Sequence, residues 1–501
     1  MGFMHRFSQF FSGHWGIHPA DDRKRPAADQ PVRVMPVPAR LYLPLQQHLG
    51  APAKPCVQVG QAVSKGQLLA EAAGAVSAPI HAPTSGTVVA IEDVTAPHLS
   101  GLGTPAIVLE ADGRDAWGVL NTCNDPFALA PEEIAARVAA AGVVGLGGAA
   151  FPSAVKLAGA ARAKVHTLIL NGGECEPYLS CDDRLMRDRA AGIVEGIRLM
   201  LRATGAPRAL VGIEDNKPEA IAAMQDAAAA CAEIQVRVVP ARYPMGSEKQ
   251  LIQTLTGAEV PAGGLPADIG VLVHNVGTAL AVRAAVVDGQ PLISRLLTVN
   301  GGAARTPGNI EVRLGTPVDE VLAFAGGVED TALARRVLGG PMMGMQMPHW
   351  RVPVTKGVSG VLALDAGEAA AHAAQDCIRC GNCIEACPMG LLPLEMRARV
   401  AGGTLAQALD LGLKDCMACG CCAYVCPAHI PLVQYFAHAK GQLAADERAA
   451  AKLDATKQLA QQKQERLARE ARERAEAAAR RKAERAAQEA AAAAAKEGAQ
   501  A

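Results

Sequence analysis

Aromatic residues are scarce in this sequence: Phe, Trp and Tyr make up 3% of 501 residues, and much of the apolar half is alanine. An excess of either charge is also missing, with Lys+Arg and Asp+Glu at 49 each, so there is no electrostatic case for a nucleic-acid partner. Long hydrophobic runs are absent too. A spanning helix needs about 18 or more uncharged apolar residues, and the nearest candidate, 269–287, is interrupted by His274, Asn275 and Arg283. The first residues, MGFMHRFSQFFSGHWGIHP, lack the continuous apolar stretch and small-residue cleavage site of a secretory signal. Nor is there a disulfide framework, since nine of the 14 cysteines crowd into 377–426 at spacings of two and three. These absences predict a soluble chain in a reducing compartment, touching a membrane only through other subunits.

The length is too great for one ordinary core and predicts two to four domains. Residues 1–35 read as an irregular N-terminal segment containing Gly16-Ile17-His18-Pro19. Residues 36–112 read as short strands with turn signals at Gly60 and at Pro83-Thr84-Ser85-Gly86. This pattern resembles the lipoyl and biotinyl carrier fold, a barrel-sandwich hybrid. The hairpin tip Ala73-Gly74-Ala75-Val76-Ser77 has no lysine to carry a lipoyl group, so a structural module is expected.

From 128 to 290 strands alternate with helices. Strands are expected at 167–170, 209–213, 236–239 and 269–273, and helices at 217–232 and 248–255. Such alternation predicts a largely parallel sheet covered on both faces. Short strands return over 291–345, and 360–440 holds the cysteine motifs in helical flanks. Residues 445–501 collapse to Ala, Glu, Arg, Lys and Gln, with pairs such as Glu465/Arg469 at helical i,i+4 spacing and no heptad seam. A solvated single helix or partly disordered tail is expected there, with a docking arm as the alternative.

The first cysteine run is Cys377-x2-Cys380-x2-Cys383-x3-Cys387-Pro388, and the second is Cys416-x2-Cys419-x2-Cys422-x3-Cys426-Pro427. Each matches the bacterial ferredoxin run, whose fourth cysteine ligates the other cluster. Three thiolates two residues apart converge on three irons of a cubane, and the proline helps turn the chain away. Carried over, that rule assigns Cys377, Cys380, Cys383 and Cys426 to one 4Fe–4S cluster. Cys416, Cys419, Cys422 and Cys387 hold the other, with Cys421 a non-ligand. The alternatives are structural zinc and a disulfide knot; zinc sites usually show two separated cysteine pairs.

Val143 to Pro152, VVGLGGAAFP, joins a short strand to an expected helix containing Lys156. Glycines let a backbone approach phosphate, and a helix N-terminus favours the anion. The loop is not a GxGxxG dinucleotide fingerprint. Three further motifs follow it: Asn171-Gly172-Gly173-Glu174-Cys175-Glu176-Pro177, Tyr243-Pro244-Met245-Gly246-Ser247-Glu248-Lys249, and His274-Asn275-Val276-Gly277-Thr278. This ordered set resembles the flavin-binding subunit of respiratory complex I, which takes a hydride from NADH onto FMN. With the N-terminal module, the double ferredoxin run and Gly339-Gly340-Pro341-Met342-Met343-Gly344, residues 14–440 resemble the C-subunit family of Rnf-type ion-translocating electron transport complexes.

The resemblance implies a multidomain α/β architecture: barrel-sandwich module, FMN/NAD-binding α/β domain, β-grasp domain at 291–345, two-cluster ferredoxin domain and charged tail. It implies an FMN phosphate against Gly145, Gly147 and Gly148 and near Lys156, with Asn171, Asn275 and Thr278 hydrogen-bonding the flavin. Phe151, Glu174 and Glu248 would line the NAD(H) side. Leu146, Gly173 and Ser247 depart from the complex I pattern of arginine, aspartate and glutamate. The expected function is a peripheral subunit on the cytoplasmic face of an inner-membrane complex, passing electrons between NAD(H), FMN and two 4Fe–4S clusters. Its expected partners are the other subunits, including a ferredoxin-type one. FMN suits this task because it exchanges electrons both in pairs and singly. The rivals are a soluble cobalamin reductase of the corrin-reducing type and a non-catalytic electron relay with a vestigial nucleotide site.

Overall fold

Two apolar runs, Thr167–Gly172 and Ala209–Glu214, are buried almost throughout, as strands covered on both faces must be. In a computed structural model that describes residues 15–498 apart from 20, 161 and 371, they are the central strands of a four-stranded sheet. The order across it is Ile234–Val239, Ala209–Glu214, Thr167–Gly172, Val271–Asn275, and every pairing is parallel. Helices Cys181–Thr204, Pro218–Ala228 and Glu248–Thr256 make the crossovers. The chain steps outward from strand 167–172 in one direction, then returns to add 271–275 on its other side. A switch point therefore lies between strands 167–172 and 271–275, where ligands of open α/β sheets bind beyond the carboxyl ends.

Helix 181–204 packs closely on helix Val276–Val286, and its small residues allow the approach. A Cβ on Gly196 would stand 1.9 Å from the Ala279 carbonyl oxygen. The helix ends where Gly205, at φ +72°, donates its N–H to the Leu201 carbonyl. The second crossover helix is shorter than the expected 217–232. Lys217 is not helical, Pro218 opens the first turn, and the helix stops at Ala228.

The barrel-sandwich module consists of a four-stranded and a three-stranded sheet spanning 40–111. Its buried Leu41, Leu43, Leu69, Ile107 and Leu109 form one continuous core with Ile134, Val138 and Leu168 of the α/β domain. Lys356 bridges the same junction, donating to Pro79 O at 2.8 Å and to Gly142 O at 2.7 Å.

The β-grasp sheet is wider than 291–345. Its six strands include Arg33–Val34 from the N-terminal segment and Gly360–Asp365, which lies between Ser294–Asn300 and Leu333–Leu338. Residues 360–365 thus belong to this sheet rather than to the cysteine-bearing segment. Val361, Leu362 and Ala363 are fully buried there, and the strand's partners 294–300 and 333–338 lie outside the cysteine-bearing segment in which the sequence places it. Residues 1–35 are likewise not wholly irregular: Arg25–Ala28 is a short helix ahead of strand 33–34, and residues 1–14 lie outside the described ones.

Two compact units are separable, 1–433 and 434–501. Helix Leu432–Gly498 runs through the described part of the second, and its side chains from 445 to 494 are almost all exposed. Among the described residues no helix is long and apolar enough to cross a membrane.

Candidate functional site

Asn275 ends its strand at the switch point and Asn171 stands one residue before the end of its own, and the two are register partners. Two asparagines from separate motifs thus meet side by side at the carboxyl edge of the sheet. Asn171 Nδ2 donates to Gly246 O at 2.7 Å, and its Oδ1 accepts from Gly173 N at 3.0 Å. Asn275 caps helix 276–286 by accepting from Gly277 N at 2.8 Å, and donates to Asp182 Oδ2 at 2.6 Å.

The glycine loop lies over this edge. Gly147 and Gly148 are exposed, and a Cβ on Gly147 would first meet Asn275, at 3.4 Å. Gly148, at φ +106°, has open space where a side chain would stand. Open space beside two exposed glycines leaves room for a phosphate or flavin edge to approach the backbone. Gly145 N donates to Phe151 O at 2.8 Å, which closes the loop and leaves Phe151 half-buried at its end. Thr278 is fully buried, and its hydroxyl accepts from Leu146 N at 2.9 Å. It therefore fixes the loop rather than standing free for a ligand. Arg295, which no sequence motif marks, donates to Leu146 O at 2.6 Å and to Val358 O at 2.8 Å.

Lys156, on helix Ser153–Ala160, donates to Val273 O and pairs with Glu248 Oε2, both at 3.1 Å. Beside it, burial and then the Lys156 charge push His274 down to about 3. That ring is neutral at physiological pH. Ser153 Oγ and His274 Nε2 are buried polar atoms without a hydrogen-bond partner.

Glu174 is not on an open nucleotide-facing surface. Its Oε1 accepts from Asp182 N at 2.9 Å and from the Cys181 thiol at 3.3 Å, while Oε2 accepts from Asp183 N at 3.2 Å. The carboxylate caps the free amides of helix 181–204, where the helix dipole favours negative charge. Lys24 reaches in from the N-terminal segment and donates to the carbonyls of Glu174, Glu176 and Leu179 at 2.8, 2.7 and 2.6 Å. Glu176 accepts from Met342 N at 2.9 Å and Met343 N at 2.8 Å, and burial pushes its carboxyl up. Burial works against the Lys217 ammonium, but its partner Glu214, together with Glu174, holds it above its usual range. Sequence reasoning gives Lys24, Glu176, Lys217 and Arg295 no role. A lone lysine or arginine carries no spacing signal, although Glu176 lies inside the motif that follows strand 167–172.

The cysteine runs form two sets that cross between the motifs. Cys377, Cys380, Cys383 and Cys426 line one cavity, together with Ile378, Leu394, Pro427 and Ile430. Burial pushes the Cys383 thiol up, with Cys380, Cys426 and Cys377 adding to it. Cys387, Cys416, Cys419 and Cys422 are neighbours by their mutual charge effects: burial raises Cys422, with Cys419, Cys416, Cys387 and, least, Cys383 adding to it, and burial, then Cys419 and Cys416, raise Cys387. All are free thiols. Among the described residues no three His, Cys, Asp or Glu converge as ligands of a single metal ion. The two four-thiol sets fit a larger polynuclear group in the way the crossed ferredoxin rule demands. Cys421, off that spacing, sets its thiol 3.9 Å from Tyr243 O and hydrogen-bonds the Cys419 side chain from behind.

The second set is docked on the α/β domain and on the loop that follows strand 333–338 of the β-grasp sheet. Tyr243 hydroxyl donates to Cys419 O at 2.6 Å, Gln250 Nε2 donates to Pro388 O at 2.8 Å, and a Cβ on Gly420 would touch Met342.

Comparison with known proteins decides the family. The chain is 53% identical to the C subunit of the ion-translocating oxidoreductase complex of Rhodobacter capsulatus over 436 residues, covering 87% of this chain and 84% of that protein. The corresponding C subunit of Pseudomonas aeruginosa is 51% identical over 87% of this chain and 56% of its own length. This chain belongs to that family of C subunits. Within it, residues 11–114 match the RnfC barrel sandwich hybrid domain and 138–284 the Nuo51 FMN-binding domain. Residues 296–346 match the SLBB domain and 376–430 the 4Fe-4S dicluster domain. FMN and 4Fe–4S clusters are therefore its cofactors, and the chain is an electron-transfer protein. Among solved structures, an NAD+-reducing NiFe-hydrogenase matches at 20% identity and TM-score 0.44 over 65% of this chain and 67% of that one.

Proposed function

We propose that this subunit passes electrons between NAD(H), FMN and its two clusters, as a peripheral part of an ion-translocating complex on the cytoplasmic face of the inner membrane. The observation that carries the reading is the segment 243–248. Its Gly246 carbonyl holds Asn171, its Glu248 holds Lys156, and its Tyr243 hydroxyl holds Cys419. One segment thus joins the flavin site to the cluster-bearing chain. Bound FMN would supply two-electron exchange with the nucleotide and one-electron exchange with the clusters.

In this reading Gly147, Gly148 and Lys156 hold the phosphate, Gly145 closes the loop through its bond to Phe151 O rather than meeting the phosphate itself, and Asn171 and Asn275 present polar groups at the switch point. Phe151 bounds the pocket, while Thr278 and Arg295 hold the loop in shape. Glu174 is a helix cap that preserves the loop 171–177, and Glu248 steadies Lys156; neither is left as a free nucleotide ligand. Cys377, Cys380, Cys383 and Cys426 hold the outer cluster, and Cys387, Cys416, Cys419 and Cys422 the cluster beside the flavin domain. We place the working domain limits at 36–112, 128–290, 291–365 and 372–433. The names of the relatives support a membrane complex over a cobalamin reductase, and a ferredoxin-type subunit is the expected cluster-to-cluster partner.

The occupied roles of Glu174 and Glu248 give the non-catalytic relay its best support. Anaerobic titration with NADH separates the two readings. Flavin-loaded, cluster-replete protein with measured iron and flavin should bleach at the flavin and then at the clusters. A protein that bleaches at neither with NADH or NADPH is a relay.

A further inference from the structure

Asp182, in the first turn of helix 181–204, has no role in the electron path proposed above. Its Oδ2 accepts from Asn275 Nδ2 at 2.6 Å, and the other end of that amide accepts from Gly277 N at 2.8 Å. With both ends engaged the amide cannot flip. Asn275 is also the side chain nearest to a Cβ at Gly147. Asp182 is therefore one hydrogen bond from the group that flanks the glycine loop.

Charged and titratable groups face it from every neighbouring element. Glu174 comes from the loop before the helix, Lys217 from the turn before helix 218–228, and Arg295 from strand 294–300. Cys181 and Asp183 adjoin it in sequence, and Asp183 is held by Arg187 at 2.6 Å. Glu174 and Asp182 thus meet at one helix N-terminus, where two like charges do not both ionise freely. Glu174 already takes the amides of Asp182 and Asp183, whereas the Asp182 carboxylate has one neutral amide donor. Asp182 is the member of the pair placed to hold a proton. Burial first, and Glu174 second, push it up to about 7.

We propose that Asp182 is a positioning residue of the flavin site that also stores a proton. It fixes the Asn275 amide against the glycine loop, and it takes up a proton when negative charge gathers there. This rests on the FMN reading. The balance is two electrons and one proton to the flavin, leaving one negative charge on the reduced ring, and a second proton from water to the Asp182 carboxylate. Reoxidation returns both protons to water.

The test is the two-electron midpoint potential of the FMN in the full-length chain, measured spectroelectrochemically from about pH 6 to about pH 9. One extra proton per two electrons means a tenfold change in the equilibrium per pH unit, or about 30 mV. Above neutrality Asp182→Asn should lose that slope of about 30 mV per pH unit. The control Asp188→Asn, on an outer face of the same helix, should keep it. An identical slope in wild type and Asp182→Asn overturns the proposal and leaves the FMN reading intact. Wild-type protein that holds no FMN overturns both. Should Asp182→Asn fail to fold, redox-difference infrared spectra of the wild type decide. A protonated-carboxyl band that appears on reduction supports the proposal, and its absence above neutral pH overturns it.

Discussion

Around Cys377–Cys383 and Cys416–Cys422 the chain makes the same turn twice. Arg379 and Ala418 both have φ +57°, Gly381 and Gly420 follow at +85° and +87°, and each turn runs into a four-residue helix. Their surroundings differ. Cys377 and Cys380 are exposed and Ile378 is 70% exposed, whereas Cys419, Cys421 and Cys422 are buried under Tyr243 and Met342. Spacing sets how thiolates converge; the neighbouring domain sets the dielectric around them. Cluster potentials follow burial and hydrogen bonding to the sulfurs. Two runs of equal spacing should therefore hold clusters of unequal potential, the buried one beside the flavin domain and the exposed one facing solvent.

The largest expected effect comes from removing one ligand from each set. Cys419→Ser and Cys380→Ser should each lose about half the iron, but with different consequences. Cys380→Ser should keep the electron paramagnetic resonance signal of the buried cluster and normal flavin content. Cys419→Ser should lose that signal and loosen the contact at Tyr243, lowering the unfolding temperature as well. Equal losses of stability in the two variants would mean that the docking does not distinguish the motifs.

A smaller effect follows from Tyr243→Phe. The change leaves the Cys419 carbonyl without its 2.6 Å donor in a buried setting. Such an orphan costs about 1–3 kcal/mol. Ile378→Ala, on the exposed motif, should stay within about 0.5 kcal/mol of wild type. Denaturant midpoints measured under anaerobic conditions compare the two directly. A further consequence of exposure is chemical. A chelator at fixed concentration should strip the Cys377 set first, and a single rate of iron release would count against unequal access.

Both cysteine runs, the four sheet strands and the asparagines at the switch point were legible in the sequence, because each carries a local pattern: fixed spacing, an apolar run, a motif behind a strand. The docking was not. Tyr243 meets Cys419 across 176 residues, Lys24 meets Glu174 across 150, and Arg295 meets Leu146 across 149. No spacing rule spans such distances. The capping role of Glu174 was hidden for the same reason, since an acidic residue in a motif looks alike whether it faces a ligand or caps the next helix. Strand 360–365 was missed because its neighbours in the sheet, 294–300 and 333–338, lie outside its own segment.

Glu176 offers the finest test of the difference between the motifs, because its clamp on Met342 and Met343 touches only the buried one. Burial raises its carboxyl above the usual value, against the two amides and Lys24, which lower it. An acid whose folded value is raised binds more protons folded than unfolded as pH passes through that window. Stability therefore falls as pH climbs from the ordinary carboxylate range towards neutrality, and the loss persists above it. Glu176→Gln keeps a carbonyl acceptor but cannot ionise, so it should lack this decline. Comparing denaturation midpoints of the two proteins across that range should show wild type losing ground to the variant as pH rises. If wild type gains instead, the paired Met342 and Met343 amides outweigh the burial. The clamp would then strengthen on ionisation and hold the buried motif most firmly at neutral pH.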